Sequence, residues 1–139
     1  MRYITRERIH VDRIATAWLI RRFVDQDAIF EFVPRTNDLS GSAAIPFDLR
    51  GAELSHHAGR CTFEAVLAKY DLNDAALQRM GAIIRSADLP QSEPAAPEAP
   101  GVLAVLTGIR DGSDNDHERL ERGSVVCDAL YAYCQEGLE

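Results

Sequence analysis

Lysine is nearly missing from this chain: of fifteen basic residues only Lys69 is a lysine, and the other fourteen are arginines. A planar guanidinium matches carboxylates and tetrahedral oxyanions and stays charged when shielded from water. The many alanines point equally to a GC-rich coding bias, so arginine abundance alone assigns no site. Cysteine is scarce too, and no Cys-x-x-Cys pair exists. Cys127 and Cys134 fall on one expected helix, roughly 10 Å apart along its axis, too far for a disulfide. An odd, unpatterned cysteine count suits a reducing cytoplasm, which is the expected location. No stretch approaches the ~20 apolar residues of a membrane span. The first apolar run, Ile14 to Ile20, is short and leads into Arg21 and Arg22, unlike a signal peptide. No membrane partner is therefore expected. Aromatic residues make up 7% of the chain and are not interleaved with basic ones, which argues against a nucleic-acid stacking platform. A formal net charge of −7 weighs against direct nucleic-acid binding in general. A Gly-rich phosphate loop and a Gly-x-Ser-x-Gly elbow are also lacking.

The 139 residues, 46% apolar and 27% charged, suit one globular domain over 1–139 with a core of its own. Asp12 is placed to cap a helix over Arg13–Val24, a run free of Gly and Pro. Ala28–Val33 reads as a strand ending at Pro34, and Ala44–Leu49, with Pro46 inside, as an edge strand. Thr36–Ser42 is a polar loop, and Arg50–Arg60 is irregular. Helices follow over Phe63–Tyr70 with Thr62 as cap, and from Asn73 or Asp74 through Ser86. A Pro-rich surface loop spans about 89–100. Gly101–Ile109 forms a further helix, Asp111–Asp116 a turn, and His117–Gln135 a last helix bent at Gly123. The expected fold is α+β, a mainly helical single domain with a small two- or three-stranded sheet.

Two regions stand out chemically. On a helical wheel the first helix is apolar almost all round, yet Arg21 projects beside Ile14 and Trp18, and Arg13 beside Ile20 and Val24. Buried guanidinium groups need partners. Internal carboxylates such as Asp48, Asp88 or Asp128 would make them structural ion pairs; an unfilled pocket would make them an anion site. The second region, GAELSHHAGRCTF, gathers Glu53, His56, His57 and Cys61, all competent metal ligands. Glu53 and His56 have Glu-x-x-His spacing, with His10, Asp12, Asp88 and Asp128 available to complete a site. Thiolate and imidazole together favour zinc, and a carboxylate-rich set favours iron or manganese, so one divalent ion is the implied cofactor. The plainer alternative is a loop anchored by a Glu53–His56 hydrogen bond, with Cys61 a buried apolar residue.

The strings VDRIATAWLIRRFVD, AIFEFVP, IPFDLRGAELSHHAGRCTFE, RSAD at Arg85–Asp88 and VVCDALYAYC occur in that order. They resemble the C-terminal domain of the chromate-resistance regulator family, over about Ile9 to Cys134. The resemblance implies a stand-alone copy of a bacterial domain. Longer members add an N-terminal region and are associated with chromate-responsive control of an efflux transporter. Matching the motifs residue by residue points to Asp12, Arg13, Trp18, Arg21, Glu53, His56, Cys61, Asp88 and Asp128. The first expectation is a domain binding a small anion or a metal ion in one pocket lined by Arg13, Arg21, Glu53 and His56. Ligand-binding roles fall to Asp12, Arg13, Trp18, Arg21, Asp88 and Asp128, and metal-binding roles to Glu53, His56 and Cys61. Alternatives are a metal-dependent redox or hydrolytic enzyme using Glu53 and His56, and a non-catalytic interaction domain. A homo-oligomer is compatible with each.

Overall fold

The computed structural model describes residues 1–35 and 42–137, so the expected polar loop lies, apart from Ser42, outside the described residues. The chain opens with a strand that the sequence pattern did not single out, β1 (Arg2–Arg6). Tyr3, Ile4 and Thr5 are buried in succession. Consecutive burial means that both faces of a strand are covered, which erases the alternation by which short strands are recognised. β1 is the middle strand. It pairs in parallel with β2 (Ile29–Val33), from Arg2↔Ile29 to Arg6↔Val33, and with β3 (Ile45–Pro46) on its other side. Pro46 sits on the sheet edge, as its missing N–H requires.

Parallel neighbours need a crossover, and α1 (Val11–Leu19) begins the one between β1 and β2. Every residue of α1 except Arg13 is buried, as expected of a helix that is apolar all round. His10, not Asp12, is its N-cap, and Asp12 lies inside the first turn. From Ile20 to Val24 the helix widens into a π turn, closed by the Asp25 N–H donating to the Ile20 carbonyl at 2.8 Å. The extra residue in that turn shifts everything beyond Leu19 off the 100° wheel. Arg21 and Arg22 therefore emerge at the surface, which corrects the expectation that Arg21 points inward.

Four further helices pack around this crossover: α2 (Thr62–Lys69), α3 (Ala75–Asp88), α4 (Ala99–Asp111) and α5 (Asp116–Gln135). The fold is α+β and mainly helical, with a three-stranded sheet, and one apolar cluster runs through sheet and helices. Asp74 caps α3, accepting from the Ala76 and Leu77 N–H groups. This helix runs past Ser86 and so places Asp88 in its last turn. α4 starts inside the Pro-rich stretch, with Pro100 in the first turn, where the missing N–H breaks no helical bond. α5 is continuous through Gly123, correcting the expected bend. Gly123 instead lets α1 approach: a Cβ there would lie 2.3 Å from Ile14 Cγ2. At the start of α5, the buried Asp116 carboxylate accepts from the Arg8 and Ile9 N–H groups, both at 2.8 Å, and pins the turn from β1 into α1.

Gly123→Ala is expected to destabilise the fold by about 1–3 kcal/mol, the usual cost of overpacking. Gly108, on α4 with open space around it, is the control: Gly108→Ala should be neutral or stabilising by up to ~1 kcal/mol through helix propensity. Urea midpoints would check both, and an unchanged midpoint for Gly123→Ala would refute the tight α1–α5 crossing.

Candidate functional site

The carboxyl end of β1, the start of α1 and the loop after β3 meet at one place. In open parallel sheets, ligands gather at strand carboxyl ends, where neighbouring connections diverge to opposite sides. β1 delivers Arg6 there, α1 delivers Asp12 and Arg13, and β3 runs on into Asp48. The following loop brings back His56 and His57, folded over by the Asp48 N–H donating to the Leu54 carbonyl at 2.6 Å. Asp48 has φ of 50°, in the left-handed region that a side chain tolerates poorly. The surrounding structure holds it there.

Asp12 is the deepest member, its side chain 1% exposed. Its Oδ1 accepts from the Phe63 N–H at 3.0 Å and the Thr16 hydroxyl at 3.1 Å. Its Oδ2 accepts from the Thr62 N–H at 2.8 Å and from His56 Nε2 at 3.0 Å. The carboxylate thus caps α2 from a different helix. Thr62, expected to be the cap, is the first helical residue; Cys61 holds the N-cap position, and Glu64 reaches back to accept its N–H.

Three carboxylates surround the His56 imidazole. Besides Asp12, Asp88 Oδ2 lies 3.1 Å from Nε2 and Asp48 Oδ1 lies 3.9 Å from it. The hydrogen bond to Asp12 and the charges of Asp48, Asp12 and Asp88 outweigh desolvation and raise the His56 pKa to about 9. At neutral pH it is an imidazolium. Asp88 is raised to about 6, chiefly by desolvation and then by the Asp12 and Asp48 charges, and Asp48 is raised by desolvation and then by the Asp12 charge. Arg13 meets this group from the other side, its Nε 3.4 Å from Asp48 Oδ2 and its Nη2 donating to the Asp48 carbonyl at 2.8 Å.

A cleft of about 490 Å³ opens above the cluster, lined by Arg6, Arg13, Asp48, Arg50, His56 and His57 among others. Its mouth is therefore cationic and its floor anionic. The Nε atoms of Arg6 and Arg13 are shielded from solvent and have no hydrogen-bond partner among the described residues. Burial, reinforced by the charges of Arg13 and Arg35, lowers the Arg6 pKa.

The expected pocket is divided by the fold. Arg13 and His56 share this cleft with Asp48, while Asp12 and Asp88 contact His56 from beneath. Arg21 lies elsewhere, its guanidinium carbon 5.0 Å from the centre of the Phe30 ring. It lines a second cleft, of about 400 Å³, with Trp18, Arg22 and Asp128. There the Trp18 indole N–H donates to Asp128 at 2.9 Å, and Arg22 pairs with the same carboxylate. Glu53 is an exposed residue bridged to Lys69 at 3.1 Å, and its carbonyl oxygen accepts from His57, not His56. Cys61 is fully buried, with its thiol directed at Glu64 and the Gly81 carbonyl. Burial and the nearby Asp12 charge push that thiol's pKa far up, which keeps it protonated. Arg6 and Arg50 were not anticipated. Arg6 ends a strand that was not read, and Arg50 stands in a segment with no periodicity.

Comparison with known proteins assigns the family. The family model for the C-terminal domain of ChrB matches residues 3–134.

The chain belongs to the ChrB family.

It is 39% identical over 132 residues to Protein ChrB of Cupriavidus metallidurans CH34, a match covering 94% of this chain and 40% of that protein. The ChrB-family domain thus spans well under half the length of this curated relative. No solved structure matches it. No helix among the described residues is long and apolar enough to cross a membrane.

The raised pKa of His56 fixes a pH dependence. A folded value of about 9 against an ordinary 6.5 means that the native state holds the extra proton. The stabilisation is then complete below pH 6.5 and is lost as pH rises towards 9. Asp88 acts with the same sign between its ordinary 3.8 and about 6. The melting temperature is expected to fall from pH 6.5 to 9, and His56→Gln should flatten that arm. An unchanged slope in the variant would remove the imidazolium from the cluster.

Proposed function

We propose that this ChrB-family domain binds a tetrahedral oxyanion in the cleft above His56, with Arg6 and Arg13 as its principal anchors. The observation that carries the reading is that Arg6 and Arg13 line one cleft, the shielded Arg6 Nε having no hydrogen-bond partner among the described residues and the Arg13 Nε meeting only Asp48, at 3.4 Å and without a hydrogen bond. A buried donor left unpaired costs free energy, and a bound anion would recover it. Arg50 and the upper edge of the His56 imidazolium add positive charge at the mouth. Chromate, sulfate and phosphate share the geometry that guanidinium forks recognise, and the family's association with chromate resistance makes chromate the first ligand to test. Chromate binding at a cationic mouth fits a sensing or sequestering role and requires no catalytic step.

A second reading treats the cluster as purely structural. It is supported by the Asp12 carboxylate, whose four hydrogen bonds satisfy both oxygens within the protein. The two readings separate in one experiment. Thermal shift with chromate, sulfate and phosphate should stabilise the wild-type domain. Arg6→Ala and Arg13→Ala should each reduce the stabilisation at least tenfold in apparent affinity, about 1.4 kcal/mol. Arg21→Ala, in the other cleft, should leave it unchanged. Equal stabilisation of all three variants would place the anion elsewhere, and no stabilisation of the wild type would leave the structural reading.

A further inference from the structure

The floor of the cleft carries a separate inference. Asp12, Asp48 and His56 each offer a ligand atom, and all three atoms lie within 4.8 Å of one another. Asp88 Oδ2 approaches the same His56 nitrogen at 3.1 Å. The one Nε2 proton is shared among three carboxylates that surround it, and a single N–H is an inefficient bridge among three acceptors. The distances suit a larger cation. In an octahedral site with bonds of ~2.1 Å, adjacent ligand atoms are about 3.0 Å apart. The Nε2–Asp12 and Nε2–Asp88 separations are 3.0 and 3.1 Å, and the Nε2–Asp48 separation is wider, at 3.9 Å.

A second observation is independent of the acidic cluster. The Thr62 hydroxyl is fully buried and has no hydrogen-bond partner among the described residues. It faces the Asp48 carboxylate at the margin of hydrogen-bonding reach. Thr62 also supplies the backbone N–H that orients Asp12 Oδ2 towards His56. An unsatisfied hydroxyl at the base of a carboxylate cluster is the group a bound ion, or water on that ion, would satisfy.

We infer that the His56 floor is a divalent-cation site, in which a hard first-row ion of the manganese(II) or iron(II) class replaces the Nε2 proton shared by Asp12, Asp48 and Asp88. Carboxylate oxygens with one imidazole select such ions over the thiolate-loving ones, and the only cysteine nearby, Cys61, is turned away towards Glu64 and Gly81. The ligands differ from the Glu53–His56–Cys61 set that the sequence suggested, with only His56 in common. Asp12 Oδ2 would exchange its contact with His56 for the ion while keeping the Thr62 N–H. The site shares Asp48 and His56 with the cleft of the oxyanion reading but not that reading's principal anchors, Arg6 and Arg13, and the ion would take the place of the His56 proton as the positive charge beneath an anion.

The test uses the whole chain, stripped with EDTA, desalted and titrated with manganese(II) in a buffer free of oxyanions. One manganese per chain is expected to bind with a dissociation constant below about 1 mM, with nitrogen-14 coupling from a coordinated imidazole in pulsed electron paramagnetic resonance. His56→Gln should abolish the nitrogen coupling. Asp48→Asn should weaken binding at least tenfold, with circular dichroism checking that both variants fold. Binding weaker than that limit, or wild-type binding without nitrogen coupling, overturns the site, and the wild-type spectrum decides even if a variant misfolds. Oxyanion titration of the EDTA-treated protein separately reads the arginine mouth, so failure of one inference is distinguishable from failure of the other.

Discussion

A carboxylate with almost no access to water has to find donors inside the protein, and Asp12 finds four. Two are backbone N–H groups at the start of α2, one is the Thr16 hydroxyl, and one is His56. An unpaired charge at this depth would cost several kcal/mol, so α1, α2 and the loop bearing His56 are held in one fixed arrangement. The α2 N-terminus gains a negative charge where its macrodipole favours one. Everything at the mouth of the cleft inherits its position from this contact. Arg13 follows Asp12 in α1, and Asp48 is drawn into line between Arg13 and His56.

The electrostatic plan of the site follows from how these groups are stacked. Burial and the Asp12 charge raise the proton affinity of Asp48 and Asp88, and the imidazolium is the charge that keeps the cluster compact. Above them the arginines meet a different balance, because Asp48 is the one carboxylate among the cleft-lining residues and it is already engaged by Arg13. Positive charge is in excess at the mouth and negative charge at the floor within one small volume. Such a vertical separation of sign lets a single cleft address ligands of opposite charge at different depths. The second cleft has its own closed accounts: Asp128 is shared by Trp18 and Arg22, and Arg21 rests on the face of Phe30.

One local irregularity decides which arginines belong together. On a regular helix, Arg13 and Arg21 would both be directed into the interior. The π turn at Ile20–Val24 inserts a residue into the last turn and carries Arg21 out to the surface. The cost of that wider turn is borne by a segment whose Phe23 packs on Trp18 and Tyr131, with ring centroids 5.8 and 5.3 Å away. Gly123, two turns into α5, leaves the room that α1 needs at Ile14.

Much of this molecule was legible in its residues. The greasy run from Ile14 to Val24 announced a buried helix, Pro46 an edge strand, and the Asp12-to-Phe23 string the family. Asp12, Arg13, His56 and Asp88 were marked as misplaced polar groups, and they do converge. What a linear reading lacks is direction. Asp12 has the type and position of a cap for the helix it begins, and only packing turns it towards α2, fifty residues on. Glu53 and His56 have ligand spacing, but the loop between them is not helical, so their side chains part. β1 carries too few residues to show a period, and with it Arg6 went unnoticed. Side-chain identity and local periodicity set which groups must be buried and satisfied; the three-dimensional packing alone chose which of them satisfy each other, because that depends on distances between segments far apart in the chain.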